Sequence, residues 1–166
     1  MDRRKFMALA SLLGLTATVK AATPDSFEKH FREVRDTIAA VQEHMFPEGT
    51  ALPSAKKMHA TQFLFETVAH KTYDRDIRAF VIDGAKEFNV QTKGRFVTLS
   101  PEEKEKALRT YEESSYGRNW LSRIMTLTME GMFGDPIYGS NTKEAGWQAL
   151  HAFGGRPRPK SRYIAL

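Results

Sequence analysis

The chain has 166 residues and a formal net charge of +5, and it contains no cysteine. A chain without cysteine cannot form disulfides, ligate an iron–sulfur cluster through thiolates, attach haem covalently or use a thiolate nucleophile. Removing residues 1–21 takes away four basic residues and one acidic residue, which lowers the net charge to +2 and leaves no case for nucleic-acid binding. The remaining 145 residues are enough for one domain with its own core.

The first segment, residues 1–21, has the three parts of a secretory signal: a basic start, a short apolar run and a small-residue cleavage site. Paired arginines with a phenylalanine two positions on resemble the twin-arginine signal, which exports proteins that have already folded. An ordinary secretory signal and an uncleaved anchor are the alternatives, and the apolar run is shorter than the ~20 residues that a membrane-spanning helix needs. The export residues are Arg3, Arg4 and Phe6, and the cleavage residues are Ala21 and Ala22.

Apolar residues spaced three and four apart predict that the rest of the chain is helical. We expect Asp25 or Ser26 to cap the first helix. Its apolar stripe consists of Phe27, Phe31, Val34, Ile38, Val41 and Met45. A loop with two prolines and one glycine covers residues 47–53. The second helix is expected from about Ser54 to near 71–72.

Three further helices are predicted before the character of the chain changes. Asp74 can cap the third helix, and the segment 89–94 is expected to break it. The fourth helix starts at Ser100, where Ser-Pro-Glu-Glu combines a cap, a proline at the first position and a glutamate at the third. The fifth helix, from about Tyr116 to Phe133, is nearly apolar on two faces and is therefore expected to be the central helix.

After the fifth helix, the sequence consists largely of turn residues. Glycine, proline and asparagine mark 134–141, a short helix is expected near 145–150, and proline and glycine exclude regular structure at 154–160. We therefore predict an all-α fold, a small bundle of about five helices with an irregular, aromatic, Pro- and Gly-rich C-terminal arm. The chain divides into a signal over 1–21, a helical domain over 22–134 and the arm over 135–166.

The sequence offers no recognisable active site. It has no glycine-rich turn between a strand and a helix for a dinucleotide, no Cys-x-x-Cys-His for haem and no Glu-x-x-His pair for a di-iron centre. Its serines in turn-like sequence lack the context of a catalytic nucleophile. A stand-alone periplasmic protein that binds a metal or a small ligand between its helices is the alternative reading, and its candidate ligands are His44, His59, Glu66 and His70.

One segment of the arm is specific enough to indicate a family. It reads Asp-Pro-Ile-Tyr-Gly-Ser-Asn over 135–141, and Gly-Trp follows at 146–147. With the twin-arginine motif and the early Met-Phe-Pro at 45–47, it resembles the gluconate 2-dehydrogenase subunit 3 family, the small subunits of membrane-bound, flavin-dependent dehydrogenases of sugars and sugar acids. That family usually has glycine in place of Ser140, and a serine would be strained there if the backbone requires a positive φ.

The resemblance implies a complex of several chains in the periplasm, associated with the cytoplasmic membrane. A large flavoprotein with FAD oxidises the substrate, and a multihaem cytochrome c passes the electrons to the quinone pool. The small subunit holds no cofactor and is not an enzyme by itself. It escorts the FAD-loaded flavoprotein through the twin-arginine translocase and stabilises it. Because the flavoprotein makes the substrate contacts, gluconate, fructose, sorbitol and glucose all stay open as substrates.

The resemblance also makes the arm the candidate partner-binding surface. Tyrosine, tryptophan, phenylalanine and arginine are enriched at protein interfaces. The alternative is that Trp147 and Phe153 cover the core of their own domain. The candidate partner-binding residues are Asp135, Pro136, Tyr138, Gly139, Asn141, Trp147, Phe153, Arg156 and Arg158.

Overall fold

The computed structural model describes residues 24–162, and of residues 24–26 it describes the backbone only. These residues form helices and turns without a β-strand, which confirms the all-α prediction. The helices are α1 Pro24–Met45, α2 Ala60–Ala69, α3 Arg75–Gln91, α4 Pro101–Glu112, α5 Ser115–Phe133 and the short α6 Ala145–Ala149, with 3-10 turns at Phe96–Thr98, Pro136–Tyr138 and Thr142–Glu144. The predicted export and cleavage residues lie outside the described part of the chain; they are Arg3, Arg4, Phe6, Ala21 and Ala22.

Helix α5 lies at the centre of the bundle and packs against each of the other four long helices, as its two apolar faces predict. Its Trp120 is fully buried, and the indole Nε1 donates a 3.0 Å hydrogen bond to the Val81 carbonyl of α3. Gly84 of α3 makes room for this ring, because a Cβ there would overlap the indole. Tyr111 of α4 packs edge-on to Trp120 and donates to the Gly84 carbonyl at 3.1 Å. Three helices thus meet at one aromatic cluster.

A buried polar network ties α1, α2 and α5 together. The Gln42 side chain donates to Thr128 Oγ1 at 2.9 Å and accepts from Thr61 Oγ1 at 2.6 Å. Gln42 and Thr128 are both fully buried, so an unpaired amide here would cost ~1–3 kcal/mol. The network therefore fixes how the three helices are rotated against one another.

Two predicted helix caps are confirmed. Asp74 accepts hydrogen bonds from the amides of Asp76 and Ile77 at 2.8 and 3.0 Å, at the start of α3. At the start of α4, Ser100 Oγ accepts from the Glu103 amide at 3.2 Å, while the Glu103 carboxylate accepts from the Ser100 amide at 2.9 Å. Each cap stabilises its helix by about 1 kcal/mol, which explains why these two starts could be read from the sequence.

The predicted start of α2 at about Ser54 is wrong, since the helix begins at Ala60. The residues before it form turns, and His59 takes a left-handed backbone (φ 55°) that interrupts any continuous helix. Met58 from these turns is buried against Met132 of α5. Tertiary packing, rather than helical periodicity, therefore sets the backbone of this segment.

Two further helix ends differ from prediction by a few residues. Helix α1 begins at Pro24, so Asp25 and Ser26 lie inside it instead of capping it. Helix α2 ends at Ala69, because the buried Arg78 of α3 donates to two carbonyls at this end at 3.0 and 2.8 Å. The Arg78 guanidinium thus supplies hydrogen bonds to carbonyls that a further helical turn would otherwise have bound.

The break predicted at the end of α3 comes later than expected. The helix continues through Asn89 to Gln91. Asn89 stays helical while its side-chain oxygen accepts a 2.6 Å hydrogen bond from Thr37 of α1. The chain then turns at Gly94 (φ 68°), whose amide donates to the Asn89 carbonyl at 2.8 Å. The Lys93 amide also donates to the Val90 carbonyl at 3.1 Å. Together these two bonds form the Schellman ending that satisfies free carbonyls, with Lys93 (φ 53°) instead of a glycine at its first left-handed position.

Candidate partner-binding surface

The arm begins where α5 ends, and two of its side chains supply the hydrogen bonds that this helix end lacks. The last carbonyls of an α-helix have no partner within the helix. Trp147 Nε1 donates to the Phe133 carbonyl at 2.6 Å, and Asn141 Nδ2 donates to the Gly134 carbonyl at 2.8 Å. The arm is therefore fixed to the end of the central helix.

Asn141 makes two of the hydrogen bonds that hold the arm. Its side chain is fully buried, its backbone is left-handed (φ 47°), and its Oδ1 accepts from the Gly146 amide at 2.8 Å. Gly146 lies so close to α5 that a Cβ there would overlap the Met132 carbonyl. Asparagine tolerates a left-handed backbone better than most residues. The spacing from Asn141 to Gly146 thus lets the Asn141 side chain bind the Gly146 amide while the Gly146 backbone lies against the end of α5.

A cluster of charges holds the distal part of the arm. The Arg158 guanidinium lies 4.6 Å from the centroid of the Trp147 ring, a cation–π contact. Arg158 also donates to Asp135 at 2.6 Å and to Glu144 at 3.0 Å. The hydrogen bond from Arg158, helped by one from the Ile137 amide, holds the pKa of Asp135 below its usual range. The two carboxylates and the ring therefore fix Arg158 within the chain.

The structure removes the reason to expect strain at Ser140. The positive φ values of this turn fall on Gly139 (85°) and Asn141 (47°), and Ser140 is not among the positive-φ residues. The bare Gly139 lies against Arg162, which donates to the Ile137 carbonyl at 2.5 Å. Ser140 itself is buried, and its Oγ has no hydrogen-bond partner within residues 24–162. Compared with the glycine that the family usually has, Ser140 adds a buried hydroxyl without a hydrogen-bond partner among the described residues.

Phe153 is the outward-facing aromatic side chain of the arm, with 86% of its surface exposed. The backbone that follows it is fixed, because Gly154 packs on the Trp147 indole, which a Cβ on that residue would overlap. The Ala152 amide also donates to the Trp147 carbonyl at 2.8 Å. Leu150, nearby in sequence, is 52% exposed. A cavity of about 470 Å³ adjoins Phe153, and its lining consists of Glu144, Phe153, Gly154, Arg156, Pro157 and Arg158.

The outer face of the arm carries positive charge that no acid pairs with among residues 24–162. Residues 145–162 contain no acid. Arg158 is paired with Asp135 and Glu144, whereas Arg156 and Lys160 are exposed and form no ion pair among the described residues. An exposed aromatic side chain with arginine beside it has the composition of an interface hot spot.

A second apolar surface lies between α2, α5 and the first residues of the arm. We call it the α2–α5 groove; it has a volume of about 560 Å³ and is lined by Phe63, Thr67, Met129, Glu130, Phe133, Gly134, Asp135 and Tyr138. Met129 is 45% exposed, and the three aromatic side chains of the lining are half-buried. The sequence did not identify this surface, although the two apolar faces of the fifth helix were a signal, since a bundle need not cover both.

The four candidate metal ligands do not form one site. His44 at the end of α1 is ion-paired with Glu105 of α4 at 2.9 Å. His59 precedes α2, His70 follows it, and Glu66 lies within it. Within residues 24–162 there is no group of three or more His, Cys, Asp or Glu residues that could hold a metal ion. The helices in this part of the chain include none with the length and apolar character needed to cross a bilayer.

Fold and surface together define a small helical bundle whose irregular arm is fixed to the central helix and presents an exposed aromatic side chain. The sequence profile of the gluconate 2-dehydrogenase subunit 3 family matches residues 32–155. The chain therefore belongs to the gluconate 2-dehydrogenase subunit 3 family, which confirms the resemblance drawn from its motifs. No curated protein and no solved structure matches it. The family description makes the chain a subunit of a gluconate 2-dehydrogenase type of complex.

The structure divides the candidate partner-binding residues by where their side chains lie. Asn141 is buried and Trp147 is 8% exposed, and both serve the attachment of the arm, as the alternative reading has it for Trp147. Phe153 and Arg156 are exposed, so Phe153 does not cover its own domain. Gly139 and Arg158 are exposed as well, although Arg158 is held by its ion pairs, whereas Asp135, Pro136 and Tyr138 are half-buried. As contacts to a partner, all of them stay predictions.

Proposed function

We propose that this chain is the non-catalytic small subunit of a periplasmic, membrane-associated, FAD-dependent dehydrogenase of sugars or sugar acids. In this proposal a large subunit holds the FAD and oxidises the substrate, and a multihaem cytochrome c carries the electrons onward. The small subunit takes the FAD-loaded large subunit through twin-arginine export and then stabilises it. Membership of the family supports the association with a dehydrogenase.

The observation that carries the proposal is that Phe153 is exposed on a segment whose backbone is fixed. A side chain that is 86% exposed buries little apolar surface in its own fold, yet the backbone on either side of it, at Ala152 and Gly154, is fixed against Trp147. Holding a binding residue in position before association lowers the entropy lost on binding. A surface of this kind supports a role in binding another protein chain.

The charge of the arm indicates the chemistry of the partner. Arg156 and Lys160 are exposed and unpaired within residues 24–162, so the complementary surface carries acidic residues around an apolar pocket for Phe153. Rim charges of this kind chiefly raise the association rate, and salt screens them. The association rate should therefore fall as the salt concentration rises.

Export is tested in the native host by fractionating three strains. One strain has the intact gene, one lacks it, and one carries Arg3→Lys together with Arg4→Lys. In both altered strains the FAD-containing subunit should stay in the cytoplasm, because it has no other route. Normal dehydrogenase activity in the periplasm of the deletion strain would refute the proposal. The lysine pair keeps the charge, so it separates twin-arginine export from an ordinary secretory signal.

Binding is tested by co-purifying the FAD-containing subunit with Phe153→Ala. Loss of a hot-spot aromatic side chain costs about 2 kcal/mol or more, or roughly a thirtyfold weaker complex. The matched control is Val90→Ala, because Val90 is 79% exposed on α3 and belongs to neither surface of the arm. Equal affinities of the two variants would show that Phe153 is not part of the interface.

A further inference from the structure

The α2–α5 groove is built from pairs of side chains one helical turn apart. Phe63 and Thr67 come from α2, and Met129 and Phe133 come from α5. Residues at this spacing lie on one face of a helix. Phe63 is seated on the bare backbone of Gly131, where a Cβ would lie 3.0 Å from its ring. The walls of the groove are thus set by the packing of two helices and not by loops.

Among residues 24–162, the charges along the groove leave one acid without an ion-pair partner. Asp135 is paired with Arg158. Glu130 is exposed at the rim and forms no ion pair within 4.0 Å among the described residues. The groups packed around its carboxylate displace part of the surrounding water and raise its pKa, and the charge of Arg123 offsets only part of that effect. A complementary occupant would therefore bring an apolar group together with one positive charge.

The groove also adjoins the Phe153 surface. Asp135 lines the groove, and its partner Arg158 lines the cavity beside Phe153. Arg158 Nε and Asp135 Oδ2 are 2.6 Å apart, so the two surfaces meet at this ion pair. One partner chain lying across the arm would contact both.

We propose that the α2–α5 groove receives an apolar side chain of the FAD-containing subunit, with a lysine or arginine of that subunit placed to pair with Glu130. This inference rests on the proposed function. Two other occupants fit less well. Residues 163–166 of this chain, Tyr-Ile-Ala-Leu, have no cationic side chain to pair with Glu130. A second copy offering Phe153 and Arg156 would make a head-to-tail contact, which propagates into rings or filaments.

Photo-crosslinking identifies the occupant directly. A photoreactive phenylalanine replaces Met129 in the full chain, co-produced with the FAD-containing subunit, and the crosslinked mass is determined after irradiation. Met129 is 45% exposed, so the replacement leaves the core intact. We expect a crosslink to the FAD-containing subunit and none from the same group placed at Val90. A crosslink to a second copy, a crosslink within the chain to residues 163–166, or no crosslink in an intact complex would overturn the inference.

A charge reversal then tests the cation. Glu130→Arg should weaken the complex at least about tenfold, since like charges meet in the bound state. Glu48→Arg makes the same charge change in an exposed loop and should leave the affinity unchanged. If Phe153→Ala weakens the complex while Glu130→Arg does not, the groove inference fails and the proposed function stands. If the two subunits do not associate at all, both fail.

Discussion

The bundle and the arm are held together by different forces. Within the bundle, Trp120 and its aromatic neighbours are stabilised mainly by the removal of apolar surface from water. In the arm, Asn141, Trp147 and Arg158 bind backbone carbonyls and carboxylates by hydrogen bonds. Burial is non-directional and tolerates a range of apolar residues, whereas these hydrogen bonds need particular atoms at particular places. Polar and aromatic residues of the arm are needed to hold the arm itself, so their presence in the sequence is weak evidence that they bind a partner protein.

The largest expected effect lowers the stability of the whole bundle. Trp120→Ala removes a fully buried indole and its hydrogen bond to Val81. We expect a loss of about 3–5 kcal/mol in the free energy of unfolding, measured by urea denaturation. Val90→Ala, at a 79% exposed site, should change it by less than about 0.5 kcal/mol. A Trp120→Ala loss near that of the control would contradict the central place given to this ring.

The next effect should fall on the arm alone. Asn141→Ala leaves the Gly134 carbonyl and the Gly146 amide without their partners and puts alanine at φ 47°. We expect the arm to lose about 2–4 kcal/mol of local stability, since each unpaired buried group costs ~1–3 kcal/mol. Amide hydrogen exchange at Gly146 should accelerate, while exchange in α5 around Ile124 stays slow.

A matched variant sharpens the comparison between local and global loss. Asn141→Asp keeps the acceptor oxygen for Gly146 but cannot donate to Gly134 when ionised. Its exchange rate at Gly146 should lie between those of the wild type and the alanine variant. Uniform acceleration throughout the bundle in either variant would show that bundle and arm unfold as one unit.

The two regions also differ in how far the sequence could predict them. Periodicity and caps located α3, α4 and α5 because burial and capping depend on residue type and spacing. The turns before α2 could not be found in this way, since Met58 is placed by contact with Met132, which is distant in sequence. The family segment of the arm, residues 135–141, was recognised from its residues. Its attachment to α5 was not, because nothing local reveals which carbonyl a Trp147 or Asn141 side chain will reach.

Acid should loosen the arm before it unfolds the bundle. The pKa of Asp135 is depressed in the folded state by Arg158, so its stabilising contribution is present above the ordinary carboxyl pKa of about 3.9 and is lost as pH falls through the lower folded value. The contribution is about 0.5–1 kcal/mol, because Arg158 is 39% exposed. The protection of the Trp147 indole proton, which is its exchange rate compared with that of a free indole at the same pH, should fall in this window. In Asp135→Asn the exchange should be quick already at neutral pH, with no acid step; a step of unchanged size would assign the titration to another group.

The smallest effect concerns Ser140 and asks whether its backbone or its hydroxyl is unfavourable. Ser140→Ala removes a buried oxygen that has no hydrogen-bond partner within residues 24–162, so we expect up to about 1 kcal/mol of added stability in the arm. Ser140→Gly removes the same oxygen but raises the entropy of the unfolded chain, at a cost of ~0.5–1 kcal/mol, and should match the wild type. Exchange at the Gly146 amide reports both variants. If glycine proves more stable than alanine, the backbone at this position requires a left-handed conformation, and the unfavourable feature is then the Cβ and not the hydroxyl.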